Sequence, residues 1–491
     1  MAATWFFCRQ GALFSYGDAE AHLNMARRVF DSQTPGYDMI GRIWLPLPHL
    51  LMMPLARVDS LWHNGLAGAI PSGACFVAAS LFLFGAAWRI FGPEAGAASV
   101  GLFATNPNFL YLQSTAMTEA VFAACLLAVL YCTVRFRQTQ GSPSVIGAGI
   151  AACLGALTRY EGWFLIPFVA AYFMLAARKR RVLMAALFSF LAVLGPLWWL
   201  SHNWWLTGDV LDFYRGPNSA LSIQGSVYYP GRGNWRAAWV YYRTAAQLCA
   251  GPGLFWAGAA GVVTALMKRA FWPLILLSLP ACFYVWSVHS AAVPIFVPTL
   301  WPNTFYNTRY GLAVLPLLAL SSAALVALFP GRFRRAASVA VIAAAMASWA
   351  LLPRAERWVT WREAEVNSEG RRQWVRDAAE YLQGRYVRGS GIITSFGDMT
   401  AIFRRMDLPL RETFTADNGV PWTATVKRPD LFLRQQWAVA MGGDEVQSAV
   451  NRAARYGIRY RMEKMIISGR EPVIEIYRRV GGPSGAQTGS P

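Results

Sequence analysis

The sequence predicts a polytopic α-helical membrane protein with about 10–11 transmembrane helices and a C-terminal soluble α/β domain. Of the 491 residues, 55% are apolar and 14% are charged, whereas soluble domains carry about 45–50% apolar and about 25% charged residues. A chain of this length with so little charge cannot cover a water-exposed surface, which excludes an ordinary cytosolic enzyme and a disordered protein. The seven cysteines include no CxxC pair, so the sequence predicts neither a disulfide framework nor a metal site.

Residues 64–353 are predicted to form the transmembrane helical bundle, because their apolar runs approach the roughly 20 residues that a bilayer core requires. The predicted spans are 64–91, 95–113, 117–136, 144–159, 161–177, 182–205, 252–268, 271–298, 309–329 and 336–353. Residues 1–14 form an apolar stub that is too short to cross. We interpret it as a partial or truncated first transmembrane helix, which raises the count from ten to eleven.

Basic residues in the short loops predict the orientation of the bundle. If successive spans cross the membrane in opposite directions, the span ends on one side carry twelve Lys and Arg residues and one acid, Glu94. These ends are predicted to be cytoplasmic. Loops 15–63 and 206–250 mix both signs and are predicted to lie outside. Most of the net charge of +19 belongs to the cytoplasmic ends and the C-terminal domain. It therefore predicts a multi-pass inner-membrane protein rather than a nucleic-acid-binding one.

After Pro353 the apolar runs give way to strands alternating with helices, which predicts an extracytoplasmic α/β domain over residues 354–480. The predicted elements are helices at 368–387 and 443–456, and strands at 390–396, 435–440 and 472–478. The tail, 481–491, is rich in Gly, Ser and Pro and is predicted to be disordered.

Ionisable residues at the outer side of the bundle are candidate site residues, because charges near membrane depth are costly and are retained for function. They lie in the first outer loop, in the outer turns and at the start of a late span: Asp18, Glu20, His22, His49, Glu119, Arg159, Glu161 and Arg309, with Tyr160 and Tyr310 beside them. We expect these carboxylates and arginines to converge at one pocket. That arrangement suits a general base with cationic groups around an anionic leaving group.

Each candidate also has a purely structural interpretation. Ser15 to Asp18 resembles a capping box that opens a helix through about Phe30, so Asp18 would serve only as a cap. Asp18 and His22 share a face of that helix, whereas Glu20 points the other way and would be a solvated surface acid.

The other candidates have similar alternatives. Glu119 begins an apolar run, where a carboxylate is favoured by the helix dipole. Arg159 and Glu161 could neutralise each other, and Arg309 could be an arginine that extends its charge to the membrane surface.

The order of these motifs resembles the C-type (GT-C) glycosyltransferases, polytopic enzymes that use polyprenyl-phosphate sugars, such as protein O-mannosyltransferases and lipid A aminoarabinose transferases. The resemblance rests on five segments: Gly17-Asp18-Ala19-Glu20 with His22, Ile43-Trp44-Leu45-Pro46-Leu47-Pro48-His49, Met117-Thr118-Glu119, Leu157-Thr158-Arg159-Tyr160-Glu161-Gly162, and Arg309-Tyr310 with Leu315-Pro316. Many relatives have two adjacent acids in the first loop. Here Ala19 separates Asp18 from Glu20, so the identity of the base is open, with Asp18 favoured.

The resemblance implies an inverting transfer of a sugar from a polyprenyl-phosphate donor to a glycan, lipid or protein acceptor on the extracytoplasmic face. Asp18, Glu20 and Glu119 are the implied catalytic residues. The implied donor-binding residues are His22, His49, Arg159, Tyr160, Glu161, Arg309 and Tyr310. No cofactor is implied. A transporter or flippase of lipid-linked glycans is the main alternative, and a ligase or polymerase of lipid-linked polysaccharide is a further one.

Overall fold

The computed structural model describes residues 1–217, 219–395, 399–469 and 472–481. The chain divides into two compact units. The first consists of Met1–Leu13, Arg42–Met52 and Leu66–Val366, and the second of Phe14–Gly41, Met53–Gly65 and Asn367–Pro491. Residues 15–63, which the sequence predicts to be an outer loop, are thus divided between the two units. The tail predicted to be disordered lies, beyond residue 481, outside the described residues.

The first unit is helical. Its α-helices, two of which continue into the second unit, are Ala2–Arg9, Leu47–Ala56, Leu66–Phe91, Pro93–Ala104, Pro107–Leu112, Glu119–Thr139, Ser142–Ala156, Glu161–Ala176, Arg181–Thr207, Asp212–Arg215, Ala220–Gln224, Trp235–Ala250, Pro252–Met267, Phe271–Ser290, Leu315–Ala324, Arg334–Leu351, Arg354–Arg357 and Val359–Gln383. Short 3₁₀ helices occupy Thr308–Val314, Leu325–Leu328 and Gly331–Phe333.

By length and composition, five helices of the described residues can cross a membrane, or six if the pair Trp235–Ala250 and Pro252–Met267, bent by 111°, is one span. This number is lower than the ten or eleven expected from apolar runs. The run 95–113 is interrupted at Asn106, whose side chain caps a new helix by accepting the Phe109 N–H. The runs 144–159 and 161–177 form helices of only 15 and 16 residues. The prediction of a polytopic helical membrane protein is confirmed.

Glycines allow close helix packing in the first unit. A Cβ added at Gly261 would lie 1.9 Å from the Ser321 carbonyl oxygen, and one at Gly258 would lie 2.6 Å from the Leu318 side chain. Small residues at such crossings let two backbones approach, which is a common way to pack helices within a membrane. The helix Pro252–Met267 is therefore in direct backbone contact with Leu315–Ala324.

The second unit contains a five-stranded sheet in its described residues. The strand order is Thr413–Phe414, Ile392–Thr394, Trp437–Met441, Ile474–Gly481, Arg459–Ile466. The first three strands are parallel and the last two pair antiparallel, with Ile392 opposite Trp437 and Val439 opposite Ile476. The three strands predicted from the sequence are present, although position 396 lies outside the described residues. The strands Thr413–Phe414 and Arg459–Ile466 were not predicted.

The second unit also contains helices and short 3₁₀ segments. They are Gly17–Arg28, Tyr37–Ile40, Asp59–Asn64, Thr400–Arg405, Leu410–Glu412, Ala416–Asn418, Val420–Lys427, Pro429–Phe432 and Glu445–Ala454. One face of the sheet buries Ile392 and Val439 with Trp374, and the other buries Ile393 and Ala438 with the helix Glu445–Ala454. The predicted helix at 443–456 is confirmed.

Candidate active site

Charged residues from three separate segments of the first unit meet at one buried cluster. Glu119 is the first residue of the helix Glu119–Thr139, and Arg159 lies in the turn before the helix Glu161–Ala176. Arg309 lies in the 3₁₀ helix Thr308–Val314. The side chains of Glu119, Arg159 and Arg309 are 10%, 14% and 9% exposed. The three acidic and basic motifs thus come together as expected from the sequence.

The Arg159 guanidinium is fully engaged by protein groups. Its Nε donates to Glu161 Oε1 at 2.6 Å, and its Nη1 donates to Thr118 Oγ1 at 2.6 Å and to Glu119 Oε1 at 3.3 Å. Its Nη2 donates to the Tyr284 hydroxyl at 2.5 Å, and that hydroxyl in turn donates to Glu161. A guanidinium with every nitrogen committed acts as a framework that orients its neighbours. The ion pair between Arg159 and Glu161 therefore exists, and it also holds Glu119.

Glu119 has one committed and one uncommitted oxygen. Its Oε1 lies 3.3 Å from Arg159 Nη1 and 3.4 Å from Arg309 Nε. Its Oε2 is buried and has no hydrogen-bond partner among the described residues. A buried carboxylate oxygen without a donor costs free energy, so such an atom points to a group supplied by a ligand. Glu119 therefore does more than interact with the helix dipole.

Arg309 is held by an acid that the sequence did not reveal. The Glu363 carboxylate accepts the backbone N–H groups of Thr308 at 3.3 Å and Arg309 at 3.2 Å. Its Oε1 also lies 4.0 Å from Arg309 Nη1. Glu363 is 1% exposed, yet it lies on an otherwise polar helix with no local motif to mark it. Because the Arg309 side chain is buried, the interpretation as an arginine that extends to the membrane surface is wrong.

Tyr310 contacts both cations. The guanidinium carbons of Arg159 and Arg309 lie 5.3 and 5.2 Å from its ring centroid, within cation–π range. The ring also stacks on Tyr284 at a centroid distance of 4.6 Å. The Tyr310 ring therefore provides a favourable contact for both positive charges.

A small cavity borders this cluster. Its polar lining residues are Glu119, Arg159, Glu161, Tyr284, Arg309 and Tyr310. Its other lining residues are apolar: Phe103, Phe109, Phe122, Ala123, Leu126, Leu312, Ala313 and Pro316. A lining that is partly charged and partly apolar suits a ligand with a charged end and a hydrocarbon part.

Two predicted donor-binding residues of the first unit are not among those that line this cavity. The Tyr160 hydroxyl donates to the Ile43 carbonyl at 2.7 Å and accepts the Trp199 indole N–H at 3.2 Å. Its ring stacks on Phe213, so Tyr160 ties the turn to neighbouring segments. His49 is buried in the helix Leu47–Ala56, at 2% exposure. Their assignment to donor binding stays a prediction.

The remaining candidates, Asp18, Glu20 and His22, belong to the second unit. Their helix begins at Gly17 with Tyr16 at the N-cap position, so the N-cap is not Ser15 and the predicted capping box from Ser15 to Asp18 is wrong. The Glu20 carboxylate forms a bidentate ion pair with Arg404, at 2.6 and 3.0 Å, and is 5% exposed. The interpretation of Glu20 as a solvated surface acid is therefore wrong.

Asp18 is half-buried and lies two residues before Glu20. Successive helical residues are rotated by about 100°, so the two carboxylates point about 200° apart around the helix axis. The pairing of Glu20 with Arg404 therefore does not involve the face that carries Asp18. The expected convergence of Asp18 with Glu119 and Arg309 stays a prediction, because Asp18 belongs to the second unit and the other two residues to the first. In the described residues no group of three or more His, Cys, Asp and Glu side chains forms a metal site.

The position of Arg309 depends on close backbone contact at Gly311, which leads to a first prediction. A Cβ at Gly311 would lie 2.4 Å from the backbone carbon and oxygen of Ala245. We expect Gly311→Ala to lower the free energy of unfolding by about 1–3 kcal/mol, as overpacking typically does. Thermal unfolding of the purified protein measures the effect. Gly331→Ala is the control, since a Cβ there has open space, and equal stability of the two variants would contradict the prediction.

Three comparisons with known proteins bear on this chain. Residues 59–205, which include Glu119 and Arg159, match the family described as dolichyl-phosphate-mannose-protein mannosyltransferase. The structure of ArnT from Cupriavidus metallidurans bound to undecaprenyl phosphate superimposes with a TM-score of 0.57 at 14% identity, covering 99% of this chain and 98% of ArnT. The apo structure of the same ArnT gives a TM-score of 0.54 at 14% identity, over 93% of both chains. No curated protein sequence matches the chain.

The chain therefore shares its fold, over nearly its whole length, with a solved structure of the type that the motifs predicted. The resemblance to C-type glycosyltransferases of the ArnT and protein mannosyltransferase kind is confirmed by the family match and by this fold. Together with the apolar helices, these findings support a membrane glycosyltransferase.

Proposed function

We propose that this protein is a membrane glycosyltransferase that transfers a sugar from a polyprenyl-phosphate donor to an acceptor hydroxyl outside the cytoplasm, with inversion at the anomeric carbon. The observation that carries the proposal is the cavity beside Glu119 and Arg309, whose lining includes both charged and apolar residues. ArnT, which has the same fold, was solved with undecaprenyl phosphate. A lipid phosphate has the charged end and the hydrocarbon part that such a cavity fits.

Arg309 is the proposed ligand of the donor phosphate. The Arg309 side chain lines the cavity beside Glu119, and its planar guanidinium suits the binding of two phosphate oxygens. The three nitrogens of the Arg159 guanidinium donate to protein groups at 2.5–2.6 Å. Arg159 instead keeps Glu119, Glu161 and Tyr310 in place.

Glu119 is proposed to orient the sugar. Its uncommitted Oε2 needs a hydrogen-bond donor, and the hydroxyl groups of a sugar supply one. A hydroxyl bound there would lie beside the phosphate bound by Arg309. The carboxylate would therefore contribute to the choice of sugar, since a donor sugar without that hydroxyl leaves the oxygen unpaired.

Asp18 is the proposed general base. It would accept the proton of the acceptor hydroxyl as the hydroxyl oxygen forms a bond to the anomeric carbon and the bond from that carbon to the phosphate oxygen breaks. The leaving phosphate keeps the electron pair, and Arg309 stabilises its charge. A single displacement of this kind needs one base and inverts the anomeric centre, as in inverting glycosidases that use one carboxylate as base. Glu20 is not proposed as the base because it is paired with Arg404.

The basic short loops remain the basis for placing the chain in the cell. Their charge predicts a multi-pass inner-membrane protein whose proposed site and C-terminal domain are extracytoplasmic. Glycan, lipid and protein acceptors all stay open in this proposal.

The test is release of free polyprenyl phosphate. Membranes containing the full-length protein are supplied with lipid-linked sugars extracted from the source organism, and free polyprenyl phosphate is quantified by mass spectrometry. We expect release that depends on the protein and on time, because transfer of the sugar breaks its bond to the phosphate. Movement of intact lipid-linked sugar without this product would instead identify a transporter, and it would overturn the proposed function.

A further inference from the structure

The helix that carries Asp18 is held along one face by C-terminal residues of the second unit. Glu20 pairs with Arg404, and one turn later the Asn24 amide donates to Thr400 Oγ1 at 2.8 Å. Thr400 and Arg404 are likewise one turn apart in the helix Thr400–Arg405. Two contacts spaced four residues apart on both helices define their register, because residues i and i+4 lie on the same face.

The contacts continue beyond the first two turns. Arg28 forms an ion pair with Asp417, and the Asp31 carboxylate accepts the backbone N–H groups of Leu410 at 3.2 Å and Arg411 at 3.3 Å. Contacts at positions 20, 24, 28 and 31 recur every three or four residues. They mark one stripe of the helix and the residues just after it.

Arg404 differs from the other contacts because it joins several segments of the first loop. It binds both Glu20 oxygens, its Nη1 donates to the His63 carbonyl at 3.1 Å, and its guanidinium carbon lies 3.7 Å from the centroid of the Phe14 ring. Its side chain is 18% exposed. A planar guanidinium can stack and bind two oxygens at once, and an ammonium group cannot.

We propose that Arg404 is a positioning residue for Asp18, acting through Glu20; this inference rests on the proposed function. A buried carboxylate is tolerated when it is paired and is strongly unfavourable when it is not. Without Arg404 the helix would rotate or shift to bring Glu20 into water. Asp18 lies about 200° from Glu20 around the axis of the same helix. Such a rotation would therefore move the carboxylate of the proposed base away from the acceptor hydroxyl. Glu20, the second acid of the motif, thus serves to hold the helix that carries Asp18.

The test compares four variants of the full-length protein in membranes: Arg404→Ala, Arg404→Lys, Glu20→Gln and the double variant Arg404→Ala with Glu20→Gln. We expect Arg404→Ala to lower the rate of polyprenyl phosphate release by roughly ten- to a hundredfold, the usual effect of misplacing a catalytic group. Arg404→Lys should retain part of the rate. The double variant should be several times faster than Arg404→Ala, because a neutral amide needs no cation. A merely structural arginine would show no such rescue.

Two further measurements separate the possible failures. Affinity for undecaprenyl phosphate should stay within about twofold in all four variants, and hydrogen exchange of the amides of residues 17–28 should rise in Arg404→Ala. Arg411→Ala is the control, because Asp31 keeps its contact with Arg27 at 2.8 Å. An Arg404→Ala protein as fast as wild type, or a double variant no faster than Arg404→Ala, would overturn the proposal. Failure of the wild type to release polyprenyl phosphate would overturn the proposed function, whereas hydrogen exchange would still report on the Arg404 contact.

Discussion

Asp18→Asn is expected to lower sugar transfer by at least about 100-fold, because removal of a positioned general base typically costs about 10²–10⁴-fold. Asparagine has nearly the same size as aspartate and keeps one carbonyl oxygen, but it cannot accept the proton of the acceptor hydroxyl. The acceptor would then attack as a neutral hydroxyl. The rate is measured as free polyprenyl phosphate released per unit time at saturating acceptor.

The chain offers a matched control for this change. Asp38 lies in the same first loop and is exposed in the 3₁₀ helix Tyr37–Ile40, so Asp38→Asn should leave the rate unchanged. Affinity for undecaprenyl phosphate should be the same in Asp18→Asn and wild type, since that site is proposed to lie in the first unit. Full activity of Asp18→Asn would show that Asp18 is not the base, and another acidic residue would then have to accept the proton.

Short-range patterns predicted the helical character of the chain and part of the sheet. Apolar runs located Leu66–Phe91 and Arg181–Thr207, and apolar strands such as Trp437–Met441 were visible because both of their faces are buried. Strand Arg459–Ile466 was missed because most of its side chains are exposed on both faces, so it has neither an apolar run nor alternation. Apolar runs also overstated the length of the helices, because a capping residue such as Asn106 can begin a new helix within one apolar run.

Long-range partners were the part of the site that the sequence could not supply. The motifs predicted Glu119, Arg159 and Arg309 because each stands next to an apolar run. Glu363 lies on a polar helix, where a functional charge resembles a solvated one, and Arg404 is one of two adjacent arginines at the end of a short helix. Their roles depend on contacts across 54 and 384 residues of chain, and no local spacing encodes such contacts.

Arg309→Ala is expected to weaken binding of undecaprenyl phosphate by roughly 10- to 150-fold, because a hydrogen bond to a charged group contributes about 1.5–3 kcal/mol. The loss should appear in use of the donor far more than in use of the acceptor, since Arg309 is proposed to contact the phosphate alone. Undecaprenol, which lacks the phosphate, should bind equally weakly to both proteins. Binding to purified protein in detergent, followed by native mass spectrometry or by thermal shift, measures these affinities.

The alanine variant also removes a cation that lies 3.4 Å from Glu119 and 4.0 Å from Glu363, and a loss of charge compensation for buried carboxylates destabilises a fold. Arg309→Lys avoids this destabilisation, because it keeps the positive charge and loses only the planar guanidinium group. It should unfold near the wild-type temperature and bind undecaprenyl phosphate with intermediate affinity. Arg215→Ala serves as the control, since Arg215 is 60% exposed and pairs only with Asp209 in the described contacts. If Arg309→Lys and Arg309→Ala both fold and bind the lipid phosphate as tightly as wild type, the cavity beside Glu119 does not hold the donor phosphate.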